Sequence, residues 1–502
     1  MDRTAGMVKK SVLALSLFAG SIAMAQVEGQ TDGPDVIVGD LSGYSRYTQF
    51  NHPQRGLIHP FAIGTTSCNV GDELLPWWTT SNTSNPALFN QHPVIAQNLY
   101  RYKQVPVVVD GVNLGNAGQF ECIGISWLKH GFTALSQSLC NPCQNPDNTG
   151  GTLDPGCSDP YVSSLNGTQS RLGPRYQVNP YTAAYPYPVN PPPPAVPSGG
   201  EGSIYRRLQV LNDDLVPAQN VGAMYFGEGQ YVAPGDATYF INGVSNGVNN
   251  ASYRRATVLS ISGGGFQLNN AIGSTTQRRK SAIHAWKDVA DPQVQIVTVD
   301  VPDEGRLEVG YRVTPLADGW YAYEYAIRNH NSDRAVGSFS IPLVSEACTR
   351  VENIGMRDVF YHSGEPYSDA DWTMTKSNAV SWSTESHAAN ANANAIRWGT
   401  MYTFRFVAKR PPMSGTATIG LFKPGTPETL PVAVAVPSGP EVDFNNDTLT
   451  PDNADIEAYF TVFGGGACPT ASCDSIDFNG DGLYPDNADL EAFLRVFGGG
   501  SC

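Results

Sequence analysis

Between residues 301 and 430, apolar side chains recur at every second position. Leu307, Val309, Tyr311 and Val313 alternate with polar neighbours, and so do Tyr321, Tyr323, Tyr325 and Ile327, which sets three phenol rings on one face. Phe339, Ile341 and Leu343 continue the period, then Tyr402, Phe404 and Phe406, then Ala417, Ile419 and Leu421. A period of two sends alternate side chains to opposite faces of a strand, and the Gly, Asn, Asp and Pro between runs mark turns. The spacing predicts half-buried antiparallel strands assembled as a β-sandwich. Residues 26–300 are expected to be a second β-rich region that contains most of the cysteines. Its proline-rich stretch 186–200 is stiff and barred from a sheet interior, so it is expected to be a surface loop. Residues 431–440 read as a linker.

The period changes at residue 441. Asp443 to Cys468 and Asp477 to Cys502 are two copies of one unit, 34 residues apart, identical at 18 of 26 positions. Each copy opens with oxygen side chains at every second residue: Asp443, Asn445 and Asp447, then Asp477, Asn479 and Asp481. Such a loop turns its side chains toward one point, which suits a hard cation that takes six to eight oxygens. The backbone carbonyls of Leu449 and Leu483 are the expected seventh-position ligands, and Asp455 and Asp489 are placed to close each shell. A helix follows in each copy. Ile456, Tyr459, Phe460 and Phe463 fall at i, i+3, i+4 and i+7, as do Leu490, Phe493, Leu494 and Phe497, and triple glycines end both runs. Two such short helices are expected to bury their apolar faces against each other, with Ca²⁺ offsetting a core too small to fold alone. An acidic disordered tail has no reason to repeat aromatic residues at helical spacing.

This repeated loop and helix resembles dockerins, the tandem modules that attach secreted proteins to cohesin-bearing scaffolds or cell surfaces. The resemblance covers 441–502. It implies a small C-terminal α-helical calcium-binding domain, with a cohesin-like or other surface protein as partner; together with the strand pattern upstream, the expected fold is mainly β, an antiparallel β-sandwich-type body followed by that domain. By the same resemblance, Asp452-Asn453 and Asp486-Asn487 help to select that partner. Here the closing acid stands one residue later than the family pattern, and Pro451 and Pro485 occupy the ninth loop position. Thr448 replaces the expected sixth-position glycine in the first loop, whereas Gly482 keeps it in the second. A left-handed backbone costs a non-glycine residue energy, so the second loop is expected to bind calcium more tightly. The body resembles secreted bacterial proteins with the same tail, in segments such as Ser126–His130 and Ser158–Tyr161, but that likeness supplies no catalytic residue.

Charge and cysteines add to this picture. Of the formal net charge of −15, residues 441–502 hold twelve acids against the single base Arg495. The rest is nearly balanced and has no basic stripe to neutralise phosphates, which argues against nucleic acid. Lys9 and Lys10 precede an apolar run from Val12 to Met24 that ends in Ala23-Met24-Ala25, so residues 1–25 are expected to be a cleaved secretory signal. The run is shorter than the roughly 20 residues a membrane span requires, so no span is expected after cleavage. An exported chain with nine cysteines should form disulfides, and the odd count leaves a thiol over. Localisation is therefore expected to be secreted or cell surface, with the periplasm also open. Cys468 or Cys502 are the alternative partners for Cys473.

The body offers weaker chemistry. Cys140 and Cys143, with Cys157 and His130, have zinc-like spacing but lack a second ligand pair, which favours disulfides. His362, Glu365, Asp369 and Asp371 cluster in a stretch that also reads as a polar loop. Gly243–Gly247 fits the Gly-x-Ser-x-Gly pattern but precedes turn sequence rather than a helix. Trp77-Trp78, and Tyr185 with Tyr187, are candidates for stacking on carbohydrate, although aromatics more often fill a core. No spacing singles out a catalytic carboxylate pair among acids such as Glu352, Glu365, Asp371 and Glu385. The expected function is a noncatalytic surface or extracellular protein displayed or assembled through its tail, and the alternative is a tethered polysaccharide hydrolase.

Overall fold

The computed structural model describes residues 29–500, apart from 132, 145, 344–348, 439–441, 448, 450 and 471–472. The expected leader, Thr448, Cys348 and Cys502 lie outside the described residues. Within them the protein is mainly β, with four large antiparallel sheets of five, seven, five and five strands. The first sheet is built on the long strand Gly56–Asn69, flanked by Val36–Arg46 and Leu208–Leu211. The second centres on Val94–Val109, which pairs with Met224–Val232 on one side and forms a hairpin with Val112–Ile125 on the other. Val36, Val38, Phe61 and Ile63 from the first sheet and Ile95, Leu99 and Tyr231 from the second fill the core between them.

The third sheet runs Gln295–Val301, Gly305–Pro315, Tyr321–Asn329, Thr400–Ala408, Val351–Arg357. The fourth centres on Val336–Pro342 and ends at Thr429–Pro437. The alternating aromatics meet between these two sheets. Tyr323 stacks on Phe406 with ring centroids 4.9 Å apart, and Phe339 lies 6.0 Å from Trp382 and 5.2 Å from Phe404. The stretch expected to be a linker pairs instead with Pro412–Leu421 as an edge strand up to Pro437. Val432, Val434 and Val436 point into the core and alternate with exposed positions, and Pro431 is tolerated because an edge strand leaves one side of its backbone unpaired.

The polar faces of the second and third sheets lie against each other, which makes the body four layers deep. Glu308, Glu324 and Arg328 fall on the alternate face from the tyrosines and are nevertheless buried. They are buried because Arg328 Nη2 reaches Glu228 Oε1 of the second sheet at 3.0 Å and Arg405 Nη2 reaches Glu121 Oε1 at 2.8 Å.

Three disulfides occur among the described residues: Cys68–Cys140, Cys143–Cys157 and Cys468–Cys473. Of the zinc-spaced cysteines, Cys143 and Cys157 therefore pair with each other and Cys140 pairs with Cys68, so all three are disulfide-bonded. Cys122 is a buried free thiol. No helix among the described residues is long and apolar enough to cross a membrane.

Candidate functional site

The repeated tail forms two helices, Asn453–Phe463 and Asn487–Phe497. Each begins with a capping box. Asp452 accepts from the Ala454 and Asp455 amides while the Asp455 carboxylate accepts from the Asp452 amide, and Asp486 and Asp489 repeat the arrangement. The helices pack through Tyr459 and Phe493, whose rings stack 3.9 Å apart and 3° from parallel, with Phe444 and Phe478 of the loops around them. Phe460 and Leu494, expected on the inner face, are instead 46% and 44% exposed. Ala458 and Asp455 take the inward positions, with Asp489 and Ala492 as their equivalents.

In the first loop, the Asp447 amide donates to Asp443 Oδ1 and to Asn445 Oδ1, both at 3.0 Å, which draws the first and third side chains toward the fifth residue. Asp455 is fully buried; its Oδ1 accepts from the Asn445 amide at 3.3 Å and its Oδ2 from the Asp452 amide at 3.0 Å. The second loop repeats this. Asp481 N donates to Asn479 Oδ1 at 2.9 Å, Gly482 N donates to Asp477 Oδ1 at 3.4 Å, and Asp489 joins the Asn479 and Asp486 amides. Burial pushes the Asp489 carboxyl above its ordinary range, opposed by those two amides, and the charge of Asp477 adds to the rise. The leucines at the seventh position donate their amides to Asp447 and Asp481, and their side chains are exposed. Gly482 has φ +85°, the left-handed backbone expected of the sixth position. Sequence reasoning missed the fourth position, where Asn446 (φ +55°) and Gly480 (φ +71°) are also left-handed.

Among the described residues, no three Asp, Glu, His or Cys side chains group closely enough to hold a metal by themselves. A cation in either loop therefore depends on the asparagine and on backbone oxygen as well. The donor set is oxygen throughout, which fits a hard ion such as Ca²⁺. The second loop also touches the body. Lys409 Nζ lies 3.4 Å from Asp477 Oδ2, and Arg410 Nη2 donates to the Phe478 carbonyl at 2.9 Å.

In the body, a cavity of about 470 Å³ opens between the second and third sheets, lined among others by Arg55, Glu121, Asp214, Arg357, Phe360 and Arg405. Two of its carboxylates are held by arginines, whereas Asp358 in the same lining has no ion pair among the described residues and burial raises its pKa to about 6. Glu121 meets Arg101 at 2.6 Å, Arg405 at 2.8 Å and Arg357 at 3.0 Å, while Asp214 meets Arg357 at 2.6 Å and Arg101 at 2.7 Å. Burial alone would raise the Glu121 pKa, but the guanidiniums of Arg357, Arg405 and Arg101 outweigh it and hold the carboxyl at about 2. A carboxylate fixed in that state cannot serve as a general acid.

Several of the other sequence candidates are engaged in hydrogen bonds of the fold, whereas Asp371 is exposed. His362 bonds Ser363 Oγ at 2.8 Å and the Ile125 carbonyl at 2.9 Å, and Glu365 accepts from the Arg175 and Tyr176 amides. Asp369 accepts from the Tyr361 amide. Ser245 ends the second strand of a two-stranded hairpin, opposite Phe240, donates to the Ala237 carbonyl and is buried. His130 lies 3.1 Å from His92 rather than beside the cysteines. Trp77 and Tyr185 are in the core.

No protein-family model matches the chain, and no curated protein does. Among solved structures, the exo-chitosanase of Amycolatopsis orientalis in complex with PNP-beta-D-glucosamine aligns with 74% of this chain at 9% identity. This chain spans 25% of that one, and the TM-score of 0.13 carries no argument about fold or function.

Proposed function

We propose that the protein is an exported, noncatalytic extracellular or surface component, whose β-rich body is displayed or assembled through a Ca²⁺-dependent dockerin-like tail. The observation that carries this reading is the matched pair of oxygen-lined loops, each hydrogen-bonded to the buried acid of its own capped helix and joined to the other through the Tyr459–Phe493 stack. Phe460 and Leu494 occupy equivalent positions in the two repeats and present exposed apolar surface on both helices, as a docking face for a cohesin-like or other surface protein requires. The Asp452 and Asp486 carboxylates are committed to capping, so Asn453 and Asn487 are the better candidates for partner contact. For the body, Glu121 is locked by three arginines and cannot supply the proton that glycoside hydrolysis needs, which supports the noncatalytic role; Asp358 of the same cleft, raised by burial to about 6, is the carboxyl that the enzyme alternative would use.

The test is calorimetric calcium titration of the full chain beside an Asp443→Ala/Asp477→Ala double variant. The wild type should bind two more Ca²⁺ per chain than the double variant, and equal binding by the two would end the proposal. The single variants rank the two loops. Incubating the body with plant and algal glycans and assaying reducing ends checks the enzyme alternative, and no release is expected.

A further inference from the structure

At one end of the N-terminal sandwich, three stretches of chain meet below the surface. Asp35 directly precedes the strand Val36–Arg46, Asp236 lies in the helical turn Pro234–Ala237, and Asn249 and Asn250 come from the turn that leads into Ala251–Ile261. Asp35 and Asp236 are fully buried and Asn250 is 1% exposed. The hydrogen bonds fix how the two amides face. Asn249 Nδ2 donates to Asp35 Oδ2 at 3.1 Å, an oxygen that also accepts from Thr31 Oγ1 at 2.6 Å. Asn250 Nδ2 donates to Asp236 Oδ2 and, at 3.3 Å, to the Tyr231 carbonyl.

With both nitrogens committed, the amide oxygens are left over. Asp236 Oδ1, Asn249 Oδ1 and Asn250 Oδ1 are all sealed from solvent and accept no hydrogen bond. A buried acceptor without a donor is destabilising, and here three belong to residues tied by hydrogen bonds around two carboxylates. The neighbouring charge that acts most strongly on Asp236 is another anion, Asp35. A proton on Asp236 relieves that repulsion, but it satisfies one acceptor at most. A cation satisfies carboxylate and amide oxygens together.

We propose that Asp35, Asp236, Asn249 and Asn250 form a buried site for one hard divalent cation, separate from the tail loops, which ties the chain entering the first strand to the two turns. The donors are all oxygen, without nitrogen or sulfur to select zinc or copper. Mg²⁺ gives up its water reluctantly, so a sealed set of carboxylate and amide oxygens suits Ca²⁺.

The experiment uses the full chain carrying Asp443→Ala and Asp477→Ala, so that tail binding neither supports nor hides the result. After equilibration with calcium chloride and desalting, elemental analysis should find one Ca²⁺ per chain, and a strong chelator should lower the unfolding temperature. Adding Asp236→Asn should abolish both the bound ion and the chelator response. Asn249→Ala, at the more exposed rim, removes one ligand without touching a charge and should weaken binding roughly tenfold or more; it decides the matter if Asp236→Asn does not fold. A calcium-free protein whose unfolding temperature ignores both calcium and chelator overturns the site. So does an Asp236→Asn chain that is more stable than its parent and has the same metal content, which would mean that Asp236 is simply protonated.

Discussion

Glu121 and Glu324 stand in the same wall between the two sandwiches, both nearly sealed from water, and Arg405 approaches both at 2.8 and 3.8 Å. Their responses to pH oppose each other. The pKa of Glu121 is depressed to about 2 in the folded protein, so its stabilisation is present above the unfolded value of about 4.3 and is lost as pH falls from there through 2. Burial raises Glu324 to about 7, with Arg405 opposing and the charge of Glu121 adding to the rise. Its contribution therefore holds below about 4.3 and is lost as pH rises through 7. Glu121→Gln removes the carboxylate that three guanidiniums share, leaving Asp214 to two of them and Glu324 to the third, and is expected to cost about 3–5 kcal/mol in urea unfolding at pH 7, with the deficit closing near pH 2. Glu324→Gln is expected to raise stability at pH 8 and to change it little at pH 4, measured the same way.

The tail's two helices depend on each other, because each is only 11 residues long and isolated helices of that length are marginal. Removing half of the Tyr459–Phe493 stack by Phe493→Ala is expected to cost about 3–5 kcal/mol and to speed amide exchange across both helices, read by mass spectrometry on the full chain. Lys409 adds an asymmetry between the loops. It supplies a positive charge to Asp477 where a calcium ion would need that carboxylate, which works against the advantage Gly482 gives the second loop. Lys409→Met is expected to tighten calcium binding at the second loop by about tenfold and to leave the first unchanged, as titration of the single-loop variants would show. The loops, the helices and the tyrosine face of Tyr321–Asn329 were legible in the sequence because each repeats a period. The burial of Glu308, Glu324 and Arg328 was not, since a polar residue at every second position looks the same whether water or a second sheet covers it. Val432, Val434 and Val436 alternated too, but the prolines around them suggested a linker. The cluster around Asp236 joins residues over 200 positions apart with no motif between them, so only the folded chain brings it into view.

Across the whole body, the two sandwiches are joined by a buried polar wall as well as by apolar contact. Arg328, fully buried, bonds Glu228 of the second sheet and Glu308 of its own, and Glu228 also receives Tyr100, Asn98 and the Ala282 amide. Such a wall makes separation of the layers expensive, because each half alone would carry unpaired charge. Calorimetry of the body is therefore expected to show one transition, and Arg328→Met to split it into two. Cys122 lies in that same wall, on the strand Val112–Ile125, and burial pushes its thiol up to about 12. Thiols react as thiolates, so in the closed protein this sulfur is both hidden and protonated. An alkylating reagent at neutral pH then becomes a clock, since each labelled molecule is one whose layers have come apart. A body that opens rarely keeps its spare sulfur hidden from the disulfides, and one that opens often would offer it to them for exchange, so the arginines that hold the wall shut also guard the cross-links.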